Sequence, residues 1–144
     1  MVKEKISVDG ITKYGPYSPG IRSYGIVWLS GQIDPQAGDV IAQAKGSMAK
    51  IDQLLNAAKL DREHICFIQI LLADINDFER VNEVYSEWLS DVEIKPARAA
   101  FQAGALPAGA AIEIVAQAID PSCCCGDEAC MECNPEGECE PGCC

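Results

Sequence analysis

"HICFIQILLA", His64 to Ala73, is apolar at odd and even positions alike. A strand with one wet face alternates apolar with polar. A run without alternation marks an interior strand that needs cover on both faces. What covers each face decides the fold.

Upstream, "YGIVWLSGQI" (24–33) reads as a strand, with β-branched and aromatic residues between glycines. A hairpin partner is expected at about 17–22, where Pro19 fits only an edge or a bulge, and "EKISV" (4–8) adds a short edge strand. From Val40 to Leu60 the period changes. Ile41, Ala44, Met48, Ile51, Leu55 and Ala58 recur at spacings of three and four, an amphipathic helix with one core-facing stripe. Downstream, Asn76 and Glu79 have capping-box spacing, with Asn in place of Ser or Thr. Phe78, Val81, Tyr85 and Trp88 then form a second stripe, with Leu89 beside it. Pro96 closes the connection to a strand at 97–104, and "LPAG" (106–109) turns the chain into a last strand at about 111–119.

Two strand–helix–strand units give an α/β sheet, and crossovers of one hand place both helices on the same face. The other face of the apolar strand then has no cover from this chain. A second copy of the sheet is the expected partner, so the pattern itself predicts an oligomer.

Charge and cysteine divide the chain in two. The net charge is −11, yet residues 120–144 hold seven acids and no Lys or Arg, against 15 acids and 11 bases in the rest. A mildly acidic domain (1–119) followed by an acidic segment (120–144) argues against nucleic acid as a partner. No apolar run approaches the ~18–20 residues of a membrane span. "MVKEKISVDG" lacks the apolar stretch of a secretory signal, so a cytoplasmic address is expected.

Within the domain, "KPARAAFQA" (95–103) places one guanidinium, Arg98, among alanines. Buried arginines are normally paired. Side chains alternate along a strand, so Arg98, Ala100 and Gln102 share a face, as do Glu113, Val115 and Gln117 on the last strand. If the two strands pair or neighbour, Arg98 and Glu113 look into one cavity. That arrangement is either a structural ion pair or a carboxylate receptor with a glutamate beside it to handle water or a proton.

"GPYSPGI" (15–21), "LSGQID" (29–34), "NDFERVNEVYSEWL" (76–89), "KPARAAF" (95–101) and "LPAGAAIEIVAQAI" (106–119), in this order and at these intervals, resemble the Rid family, the RidA/YjgF enamine/imine deaminases. The resemblance covers about residues 4–119. It implies a chorismate-mutase-like mixed sheet backed by two helices, assembled as a homotrimer with active sites at subunit interfaces. It also implies hydrolysis of 2-imino acids, such as 2-iminopropanoate and 2-iminobutanoate, to 2-keto acids and ammonia, without a cofactor. Position by position, Arg98 matches the arginine that binds the substrate carboxylate, and Glu113 the glutamate that orients or activates water. Tyr17 matches a pocket tyrosine, Ser30 and Gly31 the loop beside it, and Asn82 a pocket asparagine from the second helix. Two positions depart from the family pattern. Ala100 stands where many members carry cysteine, and Pro19 replaces the more usual glutamine.

The remaining candidates receive plainer readings. Cys66 is expected as a small buried hydrophobe, His64 at the surface or a strand edge, and Trp28 and Trp88 in packing. The segment "PSCCCGDEACMECNPEGECEPGCC" carries Cys123, Cys124, Cys125, Cys130, Cys133, Cys139, Cys143 and Cys144. It resembles a short metallothionein, and at ~3–4 thiolates per ion it would hold about two Zn²⁺ or other soft ions. A disulfide scaffold and an incidental appendage are the alternatives. The rival functions are a carboxylate-metabolite sensor, a thiolate metal buffer, and a ribonuclease; the acidic charge and single histidine count against the last.

Overall fold

The computed structural model describes residues 2–124. Six strands form one sheet: β1 (Glu4–Ile6), β2 (Gly20–Ser23), β3 (Ile26–Gln32), β4 (Ile65–Leu72), β5 (Ala97–Gln102) and β6 (Ile112–Ile119). Two helices accompany them, α1 (Val40–Ala57) between β3 and β4, and α2 (Phe78–Trp88) between β4 and β5. The spatial order is β1-β2-β3-β6-β4-β5. β4 and β5 run parallel, while β6 lies antiparallel between β3 and β4. This is a mixed α+β sheet, and its last strand is inserted into its middle.

Both helices pack on one face. Ala44, Met48, Ile51, Leu55 and Ala58 of the α1 stripe are buried, as are Val81, Tyr85, Trp88 and Leu89 of the α2 stripe. They meet Val27, Leu29, Ile68, Ile70, Leu72, Ile112 and Ile114, one parity of each interior strand. Each fully buried aliphatic side chain contributes on the order of 1.5–3 kcal/mol. Asp39 caps α1 by accepting from the Ala42 N–H at 3.0 Å.

The start of α2 differs from the expected capping box. A 3₁₀ turn, Ile75–Asp77, precedes the helix, and Asp74 accepts from the Asn76 N–H at 2.9 Å. The carboxylate two residues upstream takes the free donor first. Asn76 itself donates its side-chain amide to Asp74.

β4 is interior, flanked by β6 and β5, but the described residues cover only one of its faces. Ile68, Ile70 and Leu72 are buried, while Phe67, Gln69 and Leu71 on the other parity are half-buried. That second face also exposes Ile26, Trp28, Phe101 and Ile119, each at 36–44%. Trp28 is therefore unpacked here, whereas Trp88 is buried and donates its indole N–H to Asp52. Cys66 corrects the expectation of a buried thiol. A register shift between Ile65 and Phe67 breaks the alternation, and Cys66 is exposed. His64 ends the 3₁₀ turn before β4, with Nδ1 2.8 Å from an Asp61 carboxylate oxygen.

Beyond β6 the backbone is clasped. The Asp120 N–H donates to the Gly25 carbonyl at 2.7 Å. Its carboxylate is buried, lies 3.0 Å from Arg22 Nε, and accepts from the Ser122 hydroxyl at 2.6 Å. The Ser122 bond leads in holding this carboxyl below its usual range. Among the described residues, no helix is long and apolar enough to cross a membrane. Cys125 and the cysteines after it lie outside the described residues.

Candidate active site

Glu113 is the second residue of β6 and points to the open face, opposite the buried Ile112 and Ile114. β3 makes room for it. The β3–β6 register shifts between Leu29 and Gln32, which bulges the strand at Ser30 and Gly31. The Glu113 carboxylate lies against the Gly31 backbone, and a β-carbon there would come within 2.8 Å of its Cδ. Only glycine permits this approach.

The 14–19 loop closes the other side. The Ser30 N–H donates to the Pro19 carbonyl at 2.9 Å, and its hydroxyl to the Ser18 carbonyl at 2.7 Å. The Tyr17 hydroxyl accepts from the Tyr14 N–H at 3.3 Å, folding the loop's tip onto itself. Lys50 of α1 ties down the chain after β3 by donating to the Ile33 carbonyl at 2.6 Å. The result is a cavity of about 270 Å³ lined by Tyr14, Tyr17, Ser30, Gly31, Ile33, Pro107 and Glu113. Burial pushes the Glu113 carboxyl above the ordinary carboxylate range. A carboxyl group so placed can exchange protons closer to neutrality.

Gly31→Ala is expected to swing the Glu113 side chain into solvent and return its titration to the ordinary range. Carboxyl ¹³C NMR titration of wild type and variant reads this directly. An unchanged, raised titration in the variant would contradict the assigned contact.

Arg98 occupies a different place. It lies on β5, an edge strand, aligned with Ile68 on the helix side of the sheet. Its Nη1 donates to Asn82 Oδ1 of α2 at 2.7 Å. Its guanidinium carbon sits 4.8 Å from the Tyr85 ring centroid and 5.5 Å from that of Phe78. Aromatic faces attract a cation without neutralising it. Among the described residues, Arg98 has no acidic partner. Ala100, two residues on, shares its face and packs against the core edge. Arg98 is thus aimed and exposed, with most of its N–H groups free.

The condition under which Arg98 and Glu113 would look into one cavity, paired or neighbouring strands, is not met within one chain. Their faces follow the alternation, but β4 separates their strands and they lie on opposite sides of the sheet. Strand spacing and register put their Cα atoms about 14 Å apart. The structure brings Tyr17, Ser30, Gly31 and Glu113 together at one site, and Asn82, Arg98 and Ala100 at another. Sequence reasoning missed Pro107, Tyr14 and Ile33 in the first group, and no local signal marks them. In the second it missed Phe78 and Tyr85 as supports for Arg98. Their spacing of four and three from Asn82 puts all three on one face of α2 and was a usable signal.

Among the described residues, no group of three or more His, Cys, Asp or Glu side chains converges as a metal site would require. The two groups, a carboxyl in a cavity and an exposed guanidinium, sit apart on a two-layer α+β scaffold. Residues 9–120 match the family described as endoribonuclease L-PSP. A human 2-iminobutanoate/2-iminopropanoate deaminase is 40% identical over 112 residues, covering 73% of this chain and 80% of that protein. Two crystal structures superpose closely. YyfA of Yersinia pestis, described as a conserved Rid-family protein, is 32% identical with a TM-score of 0.75, covering 81% of this chain and 98% of that one. Escherichia coli TdcF with bound serine is 30% identical with a TM-score of 0.75, over the same shares. This chain belongs to the endoribonuclease L-PSP family, the Rid (RidA/YjgF) proteins.

Proposed function

We propose that the protein is a deaminase that hydrolyses 2-imino acids of the 2-iminopropanoate and 2-iminobutanoate class, in a homotrimer whose sites each draw on two subunits. The observation that carries this reading is the split itself. Among the described residues, one face bears a half-buried carboxyl group in a cavity with no cation, and the other bears a guanidinium with no acid. An edge strand of one subunit laid on the open, apolar face of the next would join the halves and cover that face. The deaminase name of the 40% identical human relative supports the chemistry.

In the joined site, Arg98 grips the substrate carboxylate through the N–H groups that Asn82 leaves free. The imine carbon is already electrophilic, so the reaction needs a placed water and a path for protons. Ionised Glu113 accepts a proton as water adds to that carbon. The same carboxyl returns it to nitrogen, giving the carbinolamine; it then carries the hydroxyl proton to nitrogen in a second transfer, the C–N bond breaks, and ammonia leaves as the C=O forms. The net reaction adds one water to the 2-imino acid and yields one 2-keto acid and one ammonia. No metal or covalent nucleophile is required.

Mixing inactive subunits tests both parts. Chains carrying Arg98→Ala and chains carrying Glu113→Gln are each expected to be nearly inactive at imine concentrations below KM, assayed by keto-acid release above the spontaneous rate beside an enzyme that generates 2-iminobutanoate. Refolded together in equal amounts, random trimers regain about a quarter of wild-type sites, because one subunit can supply glutamate and its neighbour arginine. No rescue would refute the shared site. A wild-type protein that leaves the spontaneous rate unchanged, or that degrades RNA instead, would refute the deaminase.

A further inference from the structure

Gln32, Gln43 and Asp120 are polar side chains buried in the fold, and two of them have plain structural work. Gln43 ties α1 to both Gly38 and Ala111, and Asp120 clasps Gly25, Arg22 and Ser122. Gln32 reaches no distant segment. It is 4% exposed, yet its side chain bonds within its own strand, with Nε2 donating to the Ser30 carbonyl at 2.8 Å. We propose that Gln32 is a positioning residue for Glu113, acting from the core side of the sheet through the Ser30–Gly31 peptide. Its kinetic consequence rests on the deaminase reading, whereas its effect on the carboxyl group does not.

The register shows what the bulge in β3 accomplishes. Leu29 faces Ala116 and Gln32 faces Ile114, so Ser30 and Gly31 together stand opposite Val115. In a strand without the extra residue, Gln32 would fall opposite Glu113, and its amide would share the open face with that carboxylate. The bulge turns the amide to the core side instead, beside Ile114. The Gly31 backbone is left as the wall against which Glu113 lies.

A primary amide among aliphatic side chains is costly to bury unless it is bonded. Here the bond takes up the Ser30 carbonyl at the bulge, where the ladder is disrupted. The peptide unit is planar, so holding that carbonyl also sets the direction of the Gly31 N–H at its other end. Glycine has no side chain to resist rotation, so the orientation of this peptide depends on its bonded partners. The other groups of Ser30 are held from the pocket side, the N–H by Pro19 and the hydroxyl by Ser18. One residue beyond Gln32, Lys50 takes the Ile33 carbonyl and opposes a slip of the strand. Loss of the amide therefore frees the peptide to turn while the register stays. Ser30, Gly31 and Ile33 line the cavity, and Gln32 supports them from behind.

Gln32→Met keeps the length and apolar stem of the side chain and removes the donor. In this variant Glu113 is expected to titrate closer to an ordinary glutamate, read by carboxyl ¹³C NMR. In the keto-acid assay kcat is expected to fall about 10-fold with KM within about twofold, and its rising limb to move to lower pH. Leu54→Ala serves as the comparison. Leu54 is buried in the last turn of α1, whereas the start of β6 meets that helix at Gln43. This variant is expected to lower the melting temperature at least as much, and to leave the Glu113 titration as in the wild type.

A Gln32→Met protein whose Glu113 titrates as in the wild type, whatever its melting temperature, would overturn the proposal. So would an equal shift in Leu54→Ala, since the effect would then follow stability rather than the bulge. A kinetic loss confined to KM would overturn it as well. Absence of keto-acid release from the wild type would count against the deaminase reading, and the titration would still decide the role of Gln32.

Discussion

Replacing Arg98 by alanine is expected to lower kcat/KM for imine hydrolysis by about 10²–10³-fold. A carboxylate held in the guanidinium fork gains two charge-assisted hydrogen bonds, together worth on the order of 3–4 kcal/mol. Asn82 and the Tyr85 and Phe78 rings prevent the fork from wandering, so little of that gain is spent on ordering it. The loss should fall mainly on KM, because the carboxylate is gripped before and during reaction. Arg98→Lys keeps the charge and loses the fork, and should sit between the two. The residue is exposed at a sheet edge, so melting temperature should barely move. Steady-state kinetics beside a melting curve separate these effects. Undiminished kcat/KM in the alanine variant would remove Arg98 from the site.

Glu113→Gln should do the opposite to KM and kcat. General acid–base participation contributes about 10²–10⁴-fold, and that factor should come out of kcat with KM little changed. In the wild type only the ionised carboxyl can take the proton from water. Because burial raises its pKa, kcat should climb with pH through a range above that of an ordinary glutamate. The stability sign runs the other way. A carboxyl whose pKa is higher folded than unfolded favours the fold below the unfolded value, and that contribution is lost as pH rises through the folded one. The glutamine variant has no such loss. Its melting temperature, measured against wild type, should gain ground between acid and neutral pH while its activity vanishes. A variant equally stable at all pH values relative to wild type would contradict the raised titration of the half-buried carboxyl.

The sequence made the faces legible and left the neighbours hidden. Alternation put Arg98 with Ala100 and Glu113 with Val115, and the structure keeps both groupings. It could not reveal that β6, last in the chain, slots between β3 and β4, because strand order is set by long-range pairing rather than local pattern. That one insertion separates Arg98 from Glu113. The helix stripes were legible because 3.6-residue periodicity is written in consecutive residues. The start of α2 was not, since Asp74 and Asn76 both offer caps and geometry chose the earlier one. Cys66 escaped for a similar reason. A single bulge residue inverts the parity from which burial is inferred.

Under the proposed shared site, the opposed placement of Arg98 and Glu113 makes catalysis a matter of concentration. A lone folded chain carries both Arg98 and Glu113 and holds them on opposite sides of its sheet, so it cannot bring these two to one substrate. Activity per chain therefore tracks the assembled fraction, and falls faster than linearly once dilution outpaces association. On that proposal, a newly made subunit is expected to be inert until it meets its copies.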